Sequence, residues 1–160
     1  MAEHQIACAS EIDARVDLVR LERTVHAVLQ SELNEPAEMG VVLVDDERIQ
    51  TLNREWRGYD EPTDVLSFGL SDRSKPAVDD EELFPFPDDP DEVLHLGEVV
   101  ISYPTAARQA AEHDRPLDEE LRHLLIHGTL HLLGYDHAEP EEEAAMRARE
   151  VALLAATAPA

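Results

Sequence analysis

A chain of 160 residues suits one compact domain able to bury roughly two thirds of the surface its unfolded form exposes. With 36 acidic against 13 basic residues the net charge is -23, and Lys75 is the one lysine. Such a field excludes sequence-blind nucleic-acid binding through a broad basic face, which works by releasing counterions from phosphates. Apolar runs as short as Val41 to Val44 exclude a membrane-spanning helix.

Met1 to Ile6 has neither the basic nor the apolar stretch of a secretory leader. Cys8, the single cysteine, has no internal partner, so a reducing cytoplasm is the expected location. Ile6 to Ala9 has weak strand character. Leu18, Leu21, Val25, Val28, Leu29 and Leu33 then recur at three-and-four spacing, which predicts an amphipathic helix ended by Asn34, Glu35 and Pro36. Gly40 to Val44 predicts a buried strand. Asp45 or Asp46 caps a helix with Ile49, Leu52 and Trp56 on one face, and Gly58 breaks it.

The turn Asp60-Glu61-Pro62-Thr63-Asp64 leads into a strand at Val65 to Leu70, and Leu96 to Ser102 predicts another. Between them, 71–92 holds four prolines and many carboxylates around Leu83, Phe84 and Phe86, and is expected to be an acidic surface excursion. Ser102 and Pro104 open a helix reaching about His113. Pro116, Asp118 and Glu119 open the next, which carries His127 and His131 and stops at Gly134. A last helix from Pro140 to about Leu154 is acidic, with one apolar stripe. The expected fold is α/β (α+β): a single compact domain over 1–160, with a mixed sheet of about four strands and about five helices in the order β-α-β-α-β-β-α-α-α.

His127 and His131 stack on one helical face within reach of one ion. Gly134 can take a left-handed conformation that turns His137 toward the same point. Three imidazoles leave the fourth position of a tetrahedral zinc open to water, as catalytic sites do, whereas structural sites are closed by four protein ligands. His123, another turn back, is a weaker candidate that suits a supporting or packing role. His4, His26, His95 and His113 read as ordinary surface or packing histidines.

The spacing also matches metzincin zinc peptidases, but Gly128 stands where their general-base glutamate follows the first histidine. Proteolysis is thereby disfavoured, and a glycine there is expected to clear space beside the metal for a substrate backbone.

The run from His127 to His137, His-Gly-Thr-Leu-His-Leu-Leu-Gly-Tyr-Asp-His, resembles the signature of bacterial YbeY-type endoribonucleases, matching it at each specified position. Leu52 to Phe68 is similar to that family's helix, loop and strand segment, and Leu96 to Ser102 to its Gly-Asp/Glu strand. The resemblance implies a single-strand-specific, metal-dependent endoribonuclease of rRNA maturation and ribosome quality control. It implies one zinc held by His127, His131 and His137, and Arg57 in the cleft. Read from the residues, Arg57 can hold a phosphate by two hydrogen bonds and stabilise charge on a scissile phosphodiester, or simply complement the helix C-terminus; Arg54, one turn earlier, reads as a solvated surface residue with the alternative of extending the patch. Asp136 is a candidate for supporting a metal ligand or handling the proton, against the plainer reading of a turn residue that hydrogen-bonds the backbone at the helix end. Tyr59 departs from the family in standing where a lysine is common.

The chemistry expected is attack by zinc-activated water on RNA. The acidic charge predicts weak intrinsic RNA affinity and targeting by a small-subunit ribosomal protein or a ribosome-associated GTPase, with no DNA or membrane partner. The rival from another class is a non-catalytic ribosome-assembly module whose acidic faces bind basic protein. Trp56 and Tyr135, which could stack on bases, are expected to pack instead.

Overall fold

Four strands pair into one sheet in the computed structural model, which describes residues 4–12, 16–69, 94–135 and 138–158. The strands are β1 (Gln5–Ser10), β2 (Ala37–Val44), β3 (Val65–Gly69) and β4 (Leu94–Ser102). Their spatial order is β1-β2-β4-β3, with β1, β2 and β4 parallel and β3 antiparallel to β4. The helices are α1 (Leu18–Glu32), α2 (Asp46–Arg57), α3 (Tyr103–Glu112), α4 (Leu117–Leu132) and α5 (Pro140–Ala156). The class and element order expected from the sequence are therefore observed. The excursion expected at 71–92 lies outside the described residues.

The caps follow the chemistry of the sequence. Asp45 accepts from the Arg48 amide at 2.8 Å and starts α2, while Gly58 ends it at a φ of 81°. Ser102 caps α3, and its hydroxyl also donates to Asp46 at 2.6 Å. Thr105 donates to the same carboxylate oxygen at 2.5 Å and Arg108 pairs with its partner oxygen at 2.9 Å, so Asp46 joins the start of α2 to the first turn of α3.

Alternation along the strands divides the core into two layers. Met39, Val41, Leu43, Val99 and Ile101 point toward α1 and α4, meeting Leu21, Val25, Leu29, Leu121, Leu124 and Leu125. Val42, Val44, Leu66, Phe68 and Val100 point the other way, toward Ile49 and Leu52 of α2. Trp56 packs into this second layer with its ring 5.0 Å from that of Phe68, as expected of a packing residue. Outside α4, Met146 and Leu153 of α5 pack on Ile126, Leu130 and Val28.

Strand β2 begins at Ala37, three residues before the strand expected at Gly40. Glu38 explains the difference: it interrupts the apolar pattern, yet it is only 2% exposed, its carboxylate lying against His95 Nδ1 on β4. His95 thus packs against a buried carboxylate, the second of the two roles expected of it. Opposite a register shift at Met39, Gly97 has a φ of 124°, and a Cβ there would lie 2.0 Å from the Phe68 carbonyl. Only glycine lets β3 close on β4 at that point.

Candidate metal centre

α4 is positioned by its apolar face against the sheet, and this fixes the direction of its histidines. Leu121, Leu124 and Leu125 enter the core, and the Gly128 carbonyl accepts from the Ser67 hydroxyl on β3 at 3.0 Å. Ring centroids of His127 and His131 lie 4.6 Å apart, with Nε2 facing Nε2 at 3.1 Å. Two imidazole nitrogens each ~2.0–2.1 Å from one tetrahedral zinc would lie roughly 3.3 Å apart, so the pair fits two ligands of a single ion. After α4, Gly134 has a φ of 102°, the left-handed conformation expected of it, and a Cβ there would meet nothing within 4 Å. Glycine is required there by backbone conformation and not by space. His137 and Asp136 lie outside the described residues.

The other ring nitrogen of His127 meets a residue that the sequence did not single out. Its Nδ1 is 2.9 Å from Glu150 Oε2 on α5, and His123 Nε2 is 3.5 Å from the same oxygen. Partial burial pushes the Glu150 carboxyl up, but hydrogen bonds and charge from His123 and His127 outweigh it and hold the group at about 2. The hydrogen bond from Glu150 in turn raises His123 above its ordinary value, against the opposing effect of burial. His123 therefore braces Glu150, in keeping with a supporting role. A groove of about 410 Å³ between α4 and α5 reaches His127 and is lined by Arg115, His123, Arg147, Glu150, Val151 and Leu154.

Beyond the histidines, Tyr135 donates to Glu32 of α1 at 2.5 Å, and Arg149 of α5 pairs with Glu32 at 2.9 Å. Tyr135 is thus a half-buried tie between helices, as expected of a packing residue.

Comparison with known proteins extends over almost all of this framework. The family model described as endoribonuclease YbeY matches residues 6–158. The chain belongs to the endoribonuclease YbeY family. A Magnetococcus marinus protein named endoribonuclease YbeY is 47% identical over 121 residues, covering 75% of this chain and 78% of that protein. Another of that name, from an Exiguobacterium species, is 41% identical over 152 residues, covering 95% of this chain and 89% of its own. The solution structure of a Thermotoga maritima protein superposes with a TM-score of 0.63 at 26% identity, covering 96% of this chain and 89% of that one.

Within this YbeY framework Gly128 needs a correction. The glycine does not clear space for a substrate: a Cβ there would lie 2.8 Å from Val99 Cγ1 and 3.1 Å from Ser67 Oγ. The helix rests too closely on the sheet for any side chain, and that closeness is what the glycine provides. Arg57 is exposed at the end of α2, its guanidinium 5.4 Å from the centre of the Tyr59 ring. α2 packs on the sheet face opposite α4, so Arg57 and the histidine pair extend from different layers. Arg54 pairs with Asp60 at 3.5 Å. His4 and His26, read as ordinary surface or packing histidines, make an edge-to-face ring contact with each other at 5.6 Å.

Proposed function

We propose that this protein is a single-strand-specific, zinc-dependent endoribonuclease acting in rRNA maturation and ribosome quality control. The observation that carries the reading is the convergence of His127 and His131 at 3.1 Å between their Nε2 atoms, in a chain of the YbeY family. His137, three residues beyond Gly134 in sequence, is the third ligand in this proposal. When bound, zinc supplies Lewis acidity and lowers the pKa of water at its open position toward neutrality.

The chain's own groups bind and orient the RNA. Arg57 offers a guanidinium for a phosphate, and the ring of Tyr59, 56% exposed beside it, offers a face for an unstacked base in place of the family's lysine. Asp136, next to the third histidine, is the group for proton handling. Peptidase chemistry is disfavoured on packing grounds as well as on sequence, because position 128 has no room for a glutamate. A net charge of -23 favours targeting through a basic ribosomal protein or a ribosome-associated GTPase over tight binding to naked RNA. The cytoplasm is the compartment that this role requires. Among the described residues no helix is long and apolar enough to cross a membrane.

The test pairs metal analysis of the purified protein with cleavage of a labelled single-stranded RNA. About one zinc per chain is expected, with cleavage lost in His127→Ala and strongly reduced in Arg57→Glu. Full activity in both variants overturns the reading. rRNA processing that survives replacement of all three histidines would instead favour the non-catalytic assembly role.

A further inference from the structure

The position of Glu150 follows from the way α5 packs on α4. Met146, four residues earlier, and Leu153, three later, are buried against Ile126, Leu130 and Val28, so position 150 shares the buried side of the helix. Two ties fix α5 along its axis. Arg122 of α4 donates to the Leu154 carbonyl at 3.0 Å and to the Thr157 hydroxyl at 3.2 Å. Arg149 donates to Ser31 Oγ at 2.8 Å and pairs with Glu32 at 2.9 Å. Within that frame the Glu150 side chain is only 13% exposed, and its Oε2 faces His127 Nδ1 at 2.9 Å.

A carboxylate accepts hydrogen bonds and does not donate them, so the proton of a neutral His127 belongs on Nδ1. The lone pair is then on Nε2, the nitrogen that faces His131 at 3.1 Å. The opposite tautomer would put a proton on the nitrogen that a metal needs and leave two acceptors facing each other at 2.9 Å across the α4–α5 contact.

We propose that Glu150 is a positioning residue of the metal centre, selecting the Nδ1–H tautomer of His127 and holding its ring so that Nε2 faces the ion. The inference rests on the zinc reading above and adds α5 to the site. It also gives His123 a place: through the same carboxylate oxygen it braces Glu150 from one helical turn further back. Partners of this kind raise the basicity of a ligating imidazole and fix its orientation.

The test uses the full chain. Zinc affinity is measured by chelator competition, and the tautomer of His127 is read by long-range ¹⁵N–¹H NMR of the metal-free protein. Glu150→Ala is expected to bind zinc roughly 10- to 100-fold more weakly. Glu150→Gln, whose amide oxygen can still accept from Nδ1, is expected to keep the tautomer and lose less. Glu142→Gln, exposed on the same helix, should bind like the unaltered chain. A predominantly Nε2–H ring in the unaltered protein overturns the inference even if Glu150→Ala fails to fold. Zinc binding lost in His127→Ala but unchanged in Glu150→Ala overturns this inference alone, whereas an unaltered chain that takes up no zinc removes the metal reading with it.

Discussion

Toward the sheet, α4 presents Leu121, Leu124, Leu125 and a glycine pressed against Val99; toward α5 it presents Arg122, His123 and His127, which meet a carbonyl, a hydroxyl and a carboxylate. The first side is specified by volume; the second adds to an apolar contact, Ile126 and Leu130 on Met146 and Leu153, a row of donors and acceptors. Volume leaves a periodic trace in sequence, because every turn of the helix must offer something apolar to the same neighbour. A polar pairing leaves almost none, because one partner can be any of several similar residues on another element.

Adding volume on the sheet side should have the largest effect. Gly128→Val places a branched side chain where even a Cβ would be 2.8 Å from Val99, and overpacking of this kind costs about 3 kcal/mol. That corresponds to a fall in melting temperature of roughly 6–12 °C for a domain of this size. Val99→Ala in the same chain should restore part of the loss; simple additivity in a double-mutant cycle would show that the contact is not the cause.

On the other side, Arg122→Ala removes the donors to Leu154, Thr157 and Asp118 at a position only 3% exposed, at a cost of about 2 kcal/mol. The loss should appear in hydrogen exchange as fraying of the last turn of α5 while the sheet amides stay protected. Equal deprotection of the sheet would mean that the two sides of α4 are not separable.

Tyr135→Phe should cost less, about 1 kcal/mol, because it removes one hydroxyl donor to Glu32 while Arg149 remains. A denaturation midpoint identical to that of the unaltered chain would show that the tie from Tyr135 contributes nothing.

The smallest effect concerns acid stability at the junction of α2 and α3. Partial burial pushes the Asp46 carboxyl up, but hydrogen bonds from Ser102, Thr105 and Arg108, with the charge of Arg108, hold it below its ordinary value. A folded-state value below the unfolded one means that the stabilisation is fully present above the unfolded value near ~3.9 and is lost as pH falls through the folded value. Asp46→Asn should flatten the acid limb of the stability curve and leave its slope near neutrality unchanged. An unaltered acid limb would place the titration elsewhere.

The same contrast explains what the sequence made legible. Strands and helices were readable from apolar spacing, and their ends from Asp45, Gly58, Ser102 and Gly134, because each reports a local requirement. The start of β2 was not, since Glu38 breaks the apolar pattern and lies buried against His95 of another strand. In the candidate site, His127 and His131 were readable as a pair because both lie on one helix. Glu150 was hidden among the many acids of α5, and only the phase of that helix on α4 distinguishes it from Glu142 or Glu143. Gly128 was visible but misread: sequence shows that a side chain is missing, and only the sheet shows what fills the space.

Glu32 also joins parts of the chain that are far apart in sequence. α4 and α5 are successive in the chain, so their pairing costs little closure entropy and can form early, much as a helical hairpin does. The carboxylate of Glu32 fastens that hairpin to α1 across 103 residues through Tyr135 and 117 through Arg149. A newly made chain can therefore bring His127 beside Glu150 well before either end of the hairpin is anchored. The tie at Glu32 thus couples the helix pair that carries His127 and Glu150 to the first helix of the chain, so that loosening of α1 is felt at the histidines.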